Sequence, residues 1–188
     1  MSEYLIRLGA QSLHGWASMD NIQSFINGLK SPALRAIAQH WHQARGSRQM
    51  PKWSELSSSV LVPHFKMLWG FQYDPKTQQF TGGLTGEQVK EWVGGGFSGA
   101  RLLDLQPPAI AKEAQQLMTK IVTTPSALRS SGRLFSVGKY TITGERIALP
   151  LSAMGTVGDG ILGASDYDSP VLSGPIEMIY ENLEWCAL

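Results

Sequence analysis

Glycines are the first residues in this chain with a spacing that could do chemistry. Residues 91–103, EWVGGGFSGARLL, contain Gly94-x-Gly96-x-x-Gly99, the spacing of a dinucleotide-binding fingerprint. Such a loop works when it leaves a parallel strand and opens a helix, so that a pyrophosphate meets the helix N-terminus. Here the glycines follow the helical stretch EQVKEWV, and the next run, ARLLDLQPP, is stopped by two prolines. Glu113 stands about where the fingerprint asks for a ribose-binding acid, but it falls inside a helix rather than at a strand end. The same spacing recurs at Gly158-x-Gly160-x-x-Gly163, in a turn between strands, as chance allows in a chain with 20 glycines. Gly94 to Gly96 are therefore read as ending a helix and letting the chain turn.

Other apparent motifs fail the same test of context. Ser136-Val-Gly-Lys139 has the S-x-x-K spacing of penicillin-recognising enzymes, which set the pair one helical turn apart; LFSVGKYT alternates like a strand and sends the two side chains to opposite faces. Ser98 in GFSGA misses the last glycine of a nucleophile elbow. His40 and His42 lie at i and i+2 of a helix and cannot chelate together, while His14 and His64 have no Asp, Glu or Cys companions at ligand spacing. His42 and Arg45 do share a face; a structural bridge is the simpler reading than an anion site. No carboxylate pair, Ser/His/Asp set or P-loop is present.

Composition narrows the classes further. Of 188 residues, 43% are hydrophobic and 16% charged, enough apolar material for a sizeable core. A formal charge of +1 is no nucleic-acid footprint, and the only basic cluster is Arg45, Arg48 and Lys52. The single cysteine, Cys186, excludes an internal disulfide and an all-cysteine metal site. No apolar run approaches the roughly 20 residues of a membrane helix. Glu3 and Arg7 interrupt the N-terminal apolar residues, so a cytoplasmic location is expected.

The elements that must position these residues follow from periodicity. Residues 1–30 form an N-terminal helical extension of two short helices, YLIRLGAQSL and NIQSFINGL, the second with Asp20 as N-cap. In SPALRAIAQHWHQARG, Ser31 caps, Pro32 opens, and Leu34, Ile37, Ala38 and Trp41 make one apolar stripe of a helix over 32–45 that Gly46 ends. From residue 65 the period changes: Met67, Trp69, Phe71 and Tyr73 alternate on a strand, YDPKTQQF turns the chain, and QFTGGLTG returns. GEQVKEWV is a short helix and PPAIAKEAQQLMTKIVTT a longer one, with Ile110, Ala114, Leu117, Met118 and Ile121 on its stripe. GRLFSVGKYTIT, a turn at TGE, RIALPLSAM and ILGASDY supply three more strands, and the tail, 169–188, ends in a helix. This is an α+β chain with an antiparallel sheet.

The aromatic residues leave two readings open. Trp69, Phe71, Phe80, Trp92, Phe97 and Phe135 either fill a plain core or line a small-molecule cavity.

The element order resembles a PAS domain, and the chain is similar to a bacterial stand-alone PAS-like family once catalogued as a domain of unknown function. The stretches that carry the likeness are LRAIAQHWHQARGSRQMP, LTGEQVKEWVGGGFSGARLLDL and IALPLSAMGTVGDGILGASDY, over residues 31–168. The resemblance implies a five-stranded antiparallel sheet with helices on one face, curved over a central cavity, and a role in sensing or protein interaction. Its implied walls are Trp69, Phe71, Phe80, Trp92, Phe97, Leu117, Ile121, Phe135 and Leu149, with Arg101 as a polar anchor at the mouth. The chain departs from the flavin photosensors, whose reactive cysteine lies near the cavity, because Cys186 is in the tail. It departs from haem sensors too, because its longer helix contains no histidine. Flavin and haem are thus disfavoured, and the ligand is left unnamed. The expected function is a sensory or regulatory domain that binds a small molecule in its core and signals by contact, as a homodimer or through a separate output protein. The alternative is a ligand-free dimerisation module using residues 1–30 and the apolar tail. An enzyme has the least support.

Overall fold

The structure is a computed structural model that describes residues 19–93, 96–168 and 176–188. The first expected helix and His14, Gly94 and Gly95, and the start of the tail at 169–175 lie outside the described residues, as does the side chain of Trp92.

Helix α1 (Met19–Gly28) leads into α2 (Pro32–Arg45). The start and stop of α2 are those expected: the Ser31 side chain accepts from the Leu34 N–H, Pro32 occupies the first turn, and Gly46 adopts φ 57°. Arg48 reinforces the stop by donating to the Ala44 and Arg45 carbonyls and pairing with Glu55. The Pro51 carbonyl accepts from the Ser152 N–H and pins this connector to the sheet. A short helix α3 (Ser58–Leu61) and a 3-10 turn (Val62–Met67) then deliver the first strand.

The sheet is made of β1 (Leu68–Asp74), β2 (Gln79–Thr85), β3 (Ser126–Val137), β4 (Tyr140–Leu151), β5 (Gly160–Tyr167), β6 (Ile176–Met178) and β7 (Glu184–Ala187), with α4 (Glu87–Val93) and α5 (Pro108–Thr123) between β2 and β3. Its strands run antiparallel in the order β2-β1-β5-β4-β3-β6, and β7 also pairs with β3. The α+β class with an antiparallel sheet is as expected; three details differ.

The described part of the tail is strand, not helix. Strand β3 is long, and its outer edge would otherwise present unpaired backbone groups. β7 covers Ser126–Arg129 and β6 covers Phe135–Val137, which gives seven strands among the described residues rather than five. Pairing with β3 overrides the helical reading of the tail. Between the two strands Glu181 accepts from the Arg133 N–H and pairs with its guanidinium, and Asn182 donates to the Ser131 carbonyl. The hairpin turn between β3 and β4 sits at Gly138-Lys139, so the TGE once expected to be a turn lies inside β4.

Helices cover both faces of the sheet, not one. On one side Leu68, Ile147, Leu149, Leu151, Leu162 and Ala164 pack with α1 and α2. On the other, Trp69, Phe71, Tyr73, Ala148 and Ile161 pack with Val89 of α4 and with Ala114, Met118, Ile121 and Val122 of α5. Neighbouring residues of one strand thus belong to different layers, as the two-residue period requires.

Close approach explains two glycines. A Cβ on Gly82 would strike the Phe97 carbonyl, and one on Gly163 would sit inside the Trp69 indole. Gly82 and its neighbour across the loop are tied by Gly82 N–H to the Ala100 carbonyl and Gly99 N–H to the Gly82 carbonyl, so the described part of the glycine loop packs on the β2 edge. It opens no long helix; only the 3-10 turn Leu102–Asp104 follows. Gly163→Ala is expected to cost roughly 3 kcal/mol or more of stability by overpacking the β1–β5 contact, as urea unfolding would measure.

Candidate functional site

The α5 layer is not completely filled. Between sheet, α5 and the arch of the tail lies a cavity of about 60 Å³, lined by Trp69, Phe71, Phe97, Leu102, Met118, Arg146 and Tyr180 among others. A second of about 20 Å³ shares Trp69, Met118, Arg146 and Tyr180 and adds Leu117, Ile121, Leu128 and Ser130. β1 supplies Trp69 and Phe71, the loop after α4 supplies Phe97, α5 supplies Met118, and β4 supplies Arg146. Phe71 and Phe97 are 4.8 Å apart between ring centroids, and Trp69 meets Phe71 edge to face at 6.1 Å.

The expected wall residues divide accordingly. Trp69, Phe71 and Phe97 line the larger cavity and Leu117 and Ile121 the smaller one. Phe80 is buried behind them against Phe71 and Tyr73 and lines neither cavity. Phe135 stands one layer away, against Arg146 and Tyr167. Leu149 faces α1 and α2 on the opposite side of the sheet. Arg101 is no anchor at the mouth: its exposed guanidinium is held by Asp104 at 2.7 Å and 3.0 Å and lines neither cavity.

The cation in the cavity wall is Arg146, which the sequence reading passed over. It is 4% exposed. Its Nε donates to Ser165 Oγ at 3.2 Å, an oxygen that also accepts from Trp69 Nε1 at 3.0 Å. Its Nη2 lies 3.3 Å from the Leu134 carbonyl and 3.9 Å from Met178 Sδ. The guanidinium carbon is 4.9 Å from the Phe135 ring centroid and 5.6 Å from that of Tyr180. Nη1 is buried with no hydrogen-bond partner, and no acidic side chain pairs with Arg146 among the described residues. Burial pushes this guanidinium below its ordinary pKa, against the opposing pull of Tyr180 and Tyr167. The signal in the sequence was a lone arginine in the strand RIALPL, on the same parity as Ala148.

His40 and His42 make local contacts. His40 Nε2 accepts from the Ser57 N–H. His42 Nδ1 accepts from Arg45 Nε at 3.1 Å, while Arg45 Nη1 donates to the Arg48 carbonyl. Burial and then Arg45 hold the His42 imidazole below its ordinary pKa. Among the described residues no group of three or more His, Cys, Asp or Glu could hold a metal ion, and no helix is long and apolar enough to cross a membrane. Ser136 lies in β3 and Lys139 in the following turn, so they do not form a catalytic S-x-x-K pair on one helix. No family model matches the chain, and no curated protein or solved structure matches it.

Two outcomes follow from this geometry. Arg101→Ala should leave the urea unfolding midpoint nearly unchanged, because exposed ion pairs contribute little; a clear loss in urea unfolding would restore Arg101 to a structural role. Burial also raises the phenols of Tyr167 and Tyr180 above their ordinary value. The folded chain then keeps protons that the unfolded chain has released, so stability is full below about pH 10 and falls as the pH rises further. Unfolding curves from about pH 8 to about pH 11 should show that fall, and Tyr180→Phe should flatten part of it.

Proposed function

We propose that this chain is a sensory or regulatory domain of PAS-like type that holds a small molecule in the cavity beneath α5 and signals by protein contact. The observation that carries the reading is a cavity walled by Trp69, Phe71, Phe97 and Met118 that contains the buried, incompletely bonded Arg146. A plain core would fill that space and would not enclose a cation without a counter-charge. The element order supports it too: β1 and β2, the short α4 and a 3-10 turn, the longer α5, then β3, β4 and β5, to which the tail adds β6 and β7.

The chemistry available is binding rather than turnover. No nucleophile, general base and oxyanion donor converge on the cavity among the described residues. Output passes through a second copy or another protein. The apolar tail is not the proposed contact, since Met178, Tyr180, Leu183 and Trp185 already pack against the chain's own core.

Native and denaturing mass spectra of the freshly purified protein test this reading. The expected result is extra mass in the native spectrum that disappears on denaturation. A native mass equal to whole multiples of the bare chain, with no added small molecule able to bind, would overturn it in favour of a ligand-free interaction module.

A further inference from the structure

We infer that the cavity beneath α5 takes a small monocarboxylate, an acid of about three to five carbons, with the carboxylate held by the guanidinium of Arg146 that lines the cavity. The inference rests on the reading of the cavity as a ligand site and adds the class of ligand.

The first ground is a contrast within one sheet. Arg129, on the other face, is met by Glu145 at 2.6 Å and Glu184 at 2.8 Å. Burial lowers its pKa, yet the bonds to these two carboxylates raise it above the ordinary value. Arg146 is buried more deeply, and among the described residues no carboxylate pairs with it. Its neighbours are a serine, a backbone carbonyl, a thioether and two aromatic rings. Buried charges elsewhere in proteins are paired, and the missing partner here is an anion.

The second ground is what else lines the space. Gln106 Oε1 already accepts from the Met178 N–H, and the Ser130 hydroxyl donates to the Glu181 carbonyl. Beyond the Gln106 amide and the Tyr180 hydroxyl the wall is apolar, so a ligand must present one charged end and a largely apolar body. One guanidinium balances one negative charge; a dianion such as hydrogen phosphate would bury a second charge without a partner. A carboxylate is the monoanion whose planar oxygens suit guanidinium N–H donors.

Size sets the chain length. At about 10–15 Å³ per water-sized group, 60 Å³ accommodates about four to six such groups. The adjoining 20 Å³ adds about one more. Acids of three to five carbons fall in that range.

The probes are sodium butyrate and its uncharged counterparts butyramide and 1-butanol, titrated into the full chain by calorimetry at fixed ionic strength. Butyrate should bind saturably and raise the melting temperature, with the neutral probes about ten- to a hundredfold weaker. Arg146→Met should erase that preference. The wild-type comparison decides by itself if the variant does not fold. Equal binding of butyramide or butanol would overturn the carboxylate inference and leave the cavity reading standing. Butyrate binding equally to a folded Arg146→Met protein would overturn it as well, by placing the acid elsewhere. If butyrate does not bind at all the inference falls, and the co-purified mass then decides separately whether the cavity reading falls with it.

Discussion

One carboxylate holds the layers of this protein together. Glu145 sits on β4, buried, and accepts from the backbone N–H groups of Lys30 and Ser31 as well as from Arg129 of β3. Arg129 passes the link to Glu184 at the start of β7. Ser31 in turn caps α2 and donates to Asp166 of β5. The junction between α1 and α2, the middle of the sheet and the returning tail are therefore fixed by one charge network. Buried charge is costly unless fully matched, so this network admits few other arrangements of these elements. That is a constraint on specificity more than a source of stability.

The next residue along shows what the same strand does on its other side. Arg146 enters the α5 layer, where no acid among the described residues answers it. The two-residue period of a strand makes the pair Glu145–Arg146 a boundary: one charge completes the scaffold and its neighbour faces the cavity. Trp69 adds rigidity there, lying flat on Gly163 and donating to the same Ser165 hydroxyl that receives Arg146. The guanidinium is held in place by groups that satisfy part of it and leave one end over.

Local signals in the sequence were sufficient for the elements that depend on local physics. The cap, proline and stripe of α2, the period of α5, the β1–β2 hairpin and the β5 run all correspond to observed structure, because capping and periodicity act within a few residues. The tail was misread because nothing within IEMIYENLEWCAL announces that β3 leaves a long edge to be covered; that demand is made by residues some fifty positions earlier. Leu149 was misplaced for a related reason. When both faces of a sheet are buried, alternation assigns residues to two sides without saying which side holds the cavity. The aromatic trio Trp69, Phe71 and Phe97 was legible from composition and strand parity. Arg146 was not, since a charged residue in a strand is ordinarily read as exposed, and the resemblance pointed to Arg101 as the polar anchor instead.

The tail has a consequence in time as well as in space. β6 and β7 are the last described strands and pair with β3 some forty to sixty positions away in sequence, so their docking depends on β3 being laid down first. Until they pair, β3 carries a bare edge and the wall of the cavity that Tyr180 provides is missing. Before that docking the space beneath α5 would be open to solvent and the sheet edge could pair with a stranger. Closure of the cavity and protection of the edge are then the same event, completed by the same dozen residues.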